Sequence, residues 1–138
     1  MSNALVKRPT VPIDPIDPIL ISGSIRATGR GMSATTSKSD QLEKRLISFA
    51  AAIVSLSSKL PRTPQGRHIC GQILRSGTAA AANYGEAQGA ESRADFIHKL
   101  KVVFKELNEM TIWLEVIAQT SLLSAETTAA IIAENREL

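Results

Sequence analysis

LRSGTAAAANYGEAQGAESRADFIHKL occupies residues 74–100 of the chain. Its left half is almost all Ser, Gly and Ala, with Asn83, Tyr84 and Glu86 set among them. The helical pattern fades at Gly89, and Ser92-Arg-Ala-Asp95 has the form of a capping box with Asp in place of the usual Glu. The stretch therefore holds the end of one helix, a short turn and the start of another. A reactive site and a packing seam would both account for the polar residues. Glycine costs about 1 kcal/mol relative to alanine inside a helix, so Gly71, Gly77 and Gly85 need a reason. Close approach of a neighbouring helix, nearer than the common 8–10 Å, supplies one. Ser76, Gly77, Ala80, Ala81 and Asn83 would form the smooth track, with Asn83 buried and bonded to a partner. The seam is the preferred reading.

The turn also sets a register. If it centres near residue 91, residues equidistant from it face each other. Arg75 then lies level with Glu106, Asn83 with Lys99 and Leu100, and Glu86 with Phe96, close to His98 and Lys99. Arg75–Glu106 and Glu86–Lys99 are the expected structural pairs, with a functional Glu86 as the alternative.

Working outward, Phe96, Leu100, Val103, Leu107, Met110, Leu114 and Ile117 repeat at helical spacing, and Ser121 breaks the stripe. Upstream, Thr63-Pro64 supplies a cap and a first-turn proline for the helix carrying Ile69, Ile73, Ala80, Tyr84 and Ala87. An earlier helix runs through Leu42, Leu46, Phe49, Ile53, Leu56 and Leu60, opened by Asp40 with Glu43 and ended by Pro61. Ser124 can cap a short fourth helix through Ala130, Ile131 and Ile132. Four amphipathic helices with short connections predict an all-α, antiparallel up-down-up-down four-helix bundle over residues 40–138.

Two segments are too apolar for an isolated bundle. FAAAIV (49–54) and TIWLEVIA (111–118) have hardly any polar face, which implies burial on a second side. In a chain of 138 residues that second side is most simply another subunit, so a homo-oligomer is expected.

Residues 1–39 differ from the rest. VPIDPIDPI is a three-residue near-repeat whose prolines disfavour helix. The following Gly, Ser and Thr have no periodicity, so a flexible tail is expected, with Met32 as an alternative start. The chain's net charge of +3 originates there. Lys7, Arg8, Arg26, Arg30 and Lys38 outnumber Asp14 and Asp17, whereas residues 40–138 hold eleven basic and eleven acidic groups. A neutral body weakens a nucleic-acid argument from charge alone. One cysteine, Cys70, allows no internal disulfide. No apolar run approaches about 18 residues, and four prolines interrupt any leader-like N-terminus. A soluble cytoplasmic protein is expected.

Little chemistry is written in the chain. Asp95-Phe-Ile-His98 has the carboxylate-x-x-His spacing of di-iron bundles, but such a site needs the motif twice plus two further carboxylates. The other histidine, His68, has Gln65 three residues before it, and Asp95 is already a cap. Cys70 and His68 lie two apart, on different helix faces. No metal, cofactor or catalytic residue is expected. Lys101 and Lys105, with Arg62 and Arg67, are candidate nucleic-acid contacts; ordinary surface pairing, Lys101 with Glu43 and Lys105 with Glu109, is the alternative.

LEKRLISFAAAIVSLSSKLP, GQILRSGTAAAANYGEAQGAESRADFIHKL and KELNEMTIWLEVI resemble the four-helix-bundle family of 23S ribosomal RNA intervening-sequence proteins. The likeness runs from about Asp40 to Leu123. The resemblance implies an antiparallel four-helix bundle assembled as a ring-like homopentamer, with no known catalysis. Members are encoded in insertions within ribosomal RNA genes or elsewhere in bacterial genomes. A similar fold occurs in the accessory variability protein of diversity-generating retroelements, a basic pentamer working with a reverse transcriptase and nucleic acid. This chain departs from the family at Ala79-Ala80, where Ser-Ile or Ser-Val is frequent, and at Gly85, where a basic residue is common. Asn108 and Met110 replace charged or polar residues, leaving the body less cationic. The expectation is a non-enzymatic interaction or scaffold protein contacting RNA or a nucleic-acid-processing partner. A small metal-binding bundle enzyme is the rival.

Overall fold

A computed structural model describes residues 37–138. Of the expected tail over residues 1–39, positions 1–36, with the Met32 start, lie outside the described residues, and Lys38 and Ser39 belong to the first helix. Four α-helices follow one another: α1 Lys38–Lys59, α2 Pro64–Gln88, α3 Arg93–Gln119 and α4 Ala125–Glu137. There is no strand among the described residues.

Local chemistry fixes the ends. Thr63, Ser92 and Ser124 cap α2, α3 and α4 through their hydroxyls, which accept from the backbone N–H groups of Gly66, Asp95 and Thr127. Helix α1 starts earlier than expected. Its cap is Ser37, in a reciprocal box with Asp40, so Asp40 is the third residue of the helix rather than its opening. Helix α1 ends at Leu60 because Pro61 cannot continue it. Helix α3 stops at Thr120, followed by Ser121 with a positive φ of 52°.

The apolar stripes meet in one core. Leu46, Phe49, Ile53 and Leu56 of α1, Ile73 of α2, and Met110, Leu114 and Ile117 of α3 are almost completely buried. Each such side chain stabilises the fold by about 1.5–3 kcal/mol relative to exposure. Backbone contacts join α1 to α2, α2 to α3, α3 to α4 and α1 to α4. Every helix backbone lies close to its two neighbours, and no diagonal pair of backbones does so among the described residues.

Helix α4 seats itself differently from the expectation. Ala130 is exposed, Ile131 and Ile132 are half-buried, and the buried residues are the polar Thr128 and Asn135. Asn135 donates to Thr111 Oγ1 at 2.7 Å and to the Leu107 carbonyl at 3.3 Å. A buried amide is held because α3 offers it acceptors.

Candidate functional site

The seam residues of α2 divide between two neighbours. Gly77 is buried against α1, where an added Cβ would lie 2.8 Å from Ile53 Cγ2. Ser76 is buried and donates to its own helix at Gln72 O. Asn83 corrects the expectation. It is only half-buried and donates at 2.8 Å to Ala79 O, one turn back in the same helix. Gly71 and Gly85 also differ, being exposed with nothing within 4 Å of an added Cβ. Close approach therefore explains Gly77 and not the other two. Gly66, which the sequence reading passed over, is the tighter contact: its Cβ would stand 1.9 Å from Pro61 O. Its place just inside a proline-flanked helix start was the available signal.

Between α2 and α3 runs a ladder of polar and aromatic contacts. His68 meets Trp113 edge to face, with ring centroids 5.9 Å apart. Arg75 Nη1 stands 3.9 Å from Glu106 Oε2, and Arg75 Nη2 pairs with Glu109 Oε1. Lys99 Nζ lies 3.0 Å from Glu86 Oε2 and 4.0 Å from Asp95 Oδ1. The contacts step down α3 as they step up α2. Glu106 is buried, and its Oε2 has the Arg75 charge nearby without a hydrogen-bond donor. The bond to Glu86 holds the Lys99 ammonium above its ordinary value.

The candidate nucleic-acid residues do not form one cluster. Arg62 sits in the α1–α2 turn and Arg67 in the first turn of α2, with Arg67 Nη1 donating to Arg62 O at 2.7 Å. Lys101 and Lys105 are exposed on α3. With His68 level with Trp113, Lys105 and Lys101 stand roughly 12 and 18 Å further along the α3 axis at 1.5 Å per residue. The expected pairs of these lysines are absent among the described residues. Glu109 is taken by Arg75 and by Trp113 Nε1–H, and Glu43 makes no ion pair with Lys101.

No three His, Cys, Asp or Glu side chains converge among the described residues. Asp95 accepts no return bond from the Ser92 N–H, so the α3 box is half-formed. His98 is exposed and Cys70 half-buried against the core. A hollow of about 160 Å³ is lined by Leu42, Leu46, Tyr84, Phe104 and other apolar groups. Tyr84 is tied to α1 by a 3.2 Å hydrogen bond with Ser39.

The outer faces carry large apolar side chains: Phe104 is 69% exposed, Ile112 62%, Ile47 56% and Val54 50%. Val54 and Ile112 fall in the two segments that lacked a polar face. Ile47 and Phe104 escaped the reading because each adjoins a core position, Leu46 or Val103, and was hidden by its stripe.

The model of the 23S rRNA-intervening sequence protein family matches residues 38–138. The chain belongs to that family. A crystal structure of a protein of unknown function from the S23 ribosomal protein family of Bacteroides thetaiotaomicron VPI-5482 is similar at 38% identity and a TM-score of 0.66. The match covers 70% of this chain and 89% of that one. No curated protein matches the sequence. Among the described residues no helix is long and apolar enough to cross a membrane.

Proposed function

We propose that this family member is a non-enzymatic scaffold, an antiparallel up-down-up-down four-helix bundle that self-assembles and contacts RNA or a nucleic-acid-processing partner in the cytoplasm. The descending α2–α3 ladder supports the antiparallel course. The observation that carries self-assembly is a pair of outer apolar stripes, Ile47 with Val54 on α1 and Phe104 with Ile112 on α3. Phe104, Ile112, Ile47 and Val54 are half or more exposed on a fold whose core is already complete, and exposed apolar surface of this kind favours a protein partner. Family resemblance makes a ring of five the expected assembly.

Light scattering tests it directly. The expected mass is five times the 14.8 kDa chain, reduced toward one by Phe104→Ser with Ile112→Ser. A stable monomer of the unaltered chain at micromolar concentration would overturn the scaffold. The RNA contact predicts a mobility shift that weakens steeply with salt; its absence at low salt removes the RNA contact. Stoichiometric iron, manganese or zinc in purified protein would restore the metalloenzyme class.

A further inference from the structure

We propose that the α1–α2 turn is the nucleic-acid surface of this protein, binding single-stranded polynucleotide through Lys59, Arg62 and Arg67 with His68 as a stacking ring. The proposal rests on the RNA-contacting reading above and names the part of the molecule responsible.

Charge distribution carries the first half. Between Glu43 and Glu86 the chain contains no acidic residue, yet it holds Lys44, Arg45, Lys59, Arg62, Arg67 and Arg75. Two of these six are neutralised by other helices: Arg45 by Glu134 at 2.9 Å and Arg75 by Glu106 and Glu109. Lys59, Arg62 and Arg67 make no ion pair among the described residues and crowd into nine positions around one turn. The first turn of α4 adds one acid, Glu126. Its own backbone N–H, and next the Ser124 hydroxyl, hold its carboxylate below the usual range. The first turn of α2 contains no acid to offset the positive end of the helix dipole.

The turn is also rigid. Pro61 and Pro64 fix its two ends, Thr63 caps α2, and Gly66 is pressed onto the Pro61 carbonyl. Arg67 spends one N–H on Arg62 O and keeps the other four of its guanidinium for a ligand. Such a preset fork suits phosphate oxygens.

The aromatic component specifies strandedness. His68 is exposed, one residue beyond Arg67, and is steadied by Trp113, whose Nε1–H donates to Glu109 at 3.3 Å. An exposed ring beside cations stacks only on a base that has left its pair. Lys105 adjoins an exposed ring of its own, Phe104, but that side chain belongs to the apolar surface assigned above to self-assembly, and Lys105 and Lys101 stand about two to three helical turns away.

The test is fluorescence anisotropy with the full chain and labelled 20-nucleotide RNA and DNA of one pyrimidine-rich sequence, single-stranded and duplex, over a salt series. Binding of either single strand supports the proposal. Combined Lys59→Gln, Arg62→Gln and Arg67→Gln should weaken binding at least tenfold at low salt and reduce the log–log salt slope by about 2, for three phosphates of a single strand. His68→Ala should cost roughly tenfold with the slope unchanged. Lys59→Gln alone, at a side chain with no bond to lose, gives a partial loss and guards against misfolding of the triple variant. Loss confined to Lys101→Gln with Lys105→Gln overturns the assignment while leaving RNA contact standing. Preference for duplex, or equal competition by polyglutamate, also overturns it. Failure of the unaltered chain to bind any oligonucleotide removes both readings.

Discussion

Gly77 and Gly85 lie about two turns apart on α2 and have opposite surroundings. Gly77 is buried where a Cβ would strike Ile53 at 2.8 Å, while Gly85 is exposed with no atom within 4 Å. Gly66 sides with the first and Gly71 with the second. Helix α2 therefore has one face pressed on α1 and its turn, and another left smooth toward the outside. Small residues state only that a helix tolerates close approach. The position of a neighbour's bulky side chain or carbonyl states where approach happens.

Replacing each glycine by alanine breaks the comparison most directly, because the inserted atom is the same at every site. Gly66→Ala should be the most damaging. Its Cβ would meet the Pro61 carbonyl at 1.9 Å, and backbone on both sides leaves no flexible group to yield. A loss of about 3 kcal/mol is expected, read as a lower urea midpoint at unchanged slope. A neutral result would mean that the α1–α2 turn is not pinned at Gly66.

Gly77→Ala comes next, with a loss of about 1–2 kcal/mol. The obstacle here is a side chain, Ile53, so the cost is shared with its rearrangement. Ile53→Ala removes the Cγ atoms in the way, at a large cavity cost of its own. The two changes together should cost clearly less than their sum, since they share one contact. Strict additivity would show that Ile53 is not what Gly77 accommodates.

Gly71→Ala and Gly85→Ala should reverse the sign. Both positions are exposed helix interior, where alanine is favoured by about 0.5–1 kcal/mol. A loss at either would place another chain against the smooth face, so thermal melts at several protein concentrations separate the two outcomes.

What was legible in the sequence follows the range of the physics involved. Caps at Thr63, Ser92 and Ser124 are local, since a hydroxyl and an N–H three residues on suffice. Ser37 was missed because Asp40 with Glu43 offered an equally plausible start. The level pairs Arg75–Glu106 and Glu86–Lys99 could be placed because a short turn fixes the register. Asn83 and Asn135 could not be sorted that way. One amide satisfies itself on Ala79, while the other is buried because Thr111, far along the chain, supplies a hydroxyl. Charge was the least legible feature of the candidate site. Sequence grouped Arg62, Arg67, Lys101 and Lys105 by sign, whereas helix heights part them, and Arg75 takes the carboxylate expected for Lys105.

The smallest effect is expected on the exterior, at the Lys99–Glu86 pair. Lys99's folded value is raised above its ordinary 10.5, first by the bond to Glu86 and next, against it, by desolvation. A raised cation contributes stability that is fully present below its ordinary value and is lost as pH rises through the folded one. Glu86→Gln should therefore lower the denaturation midpoint slightly and evenly at neutral pH. The gap between variant and parent should close in alkaline solution as Lys99 discharges, and should narrow in high salt because the Glu86 carboxylate is exposed. A gap unchanged between pH 8 and 11 would show that the ammonium is not what Glu86 stabilises. The pair would then serve only as a marker of the register that Gly77 and Ile53 already set.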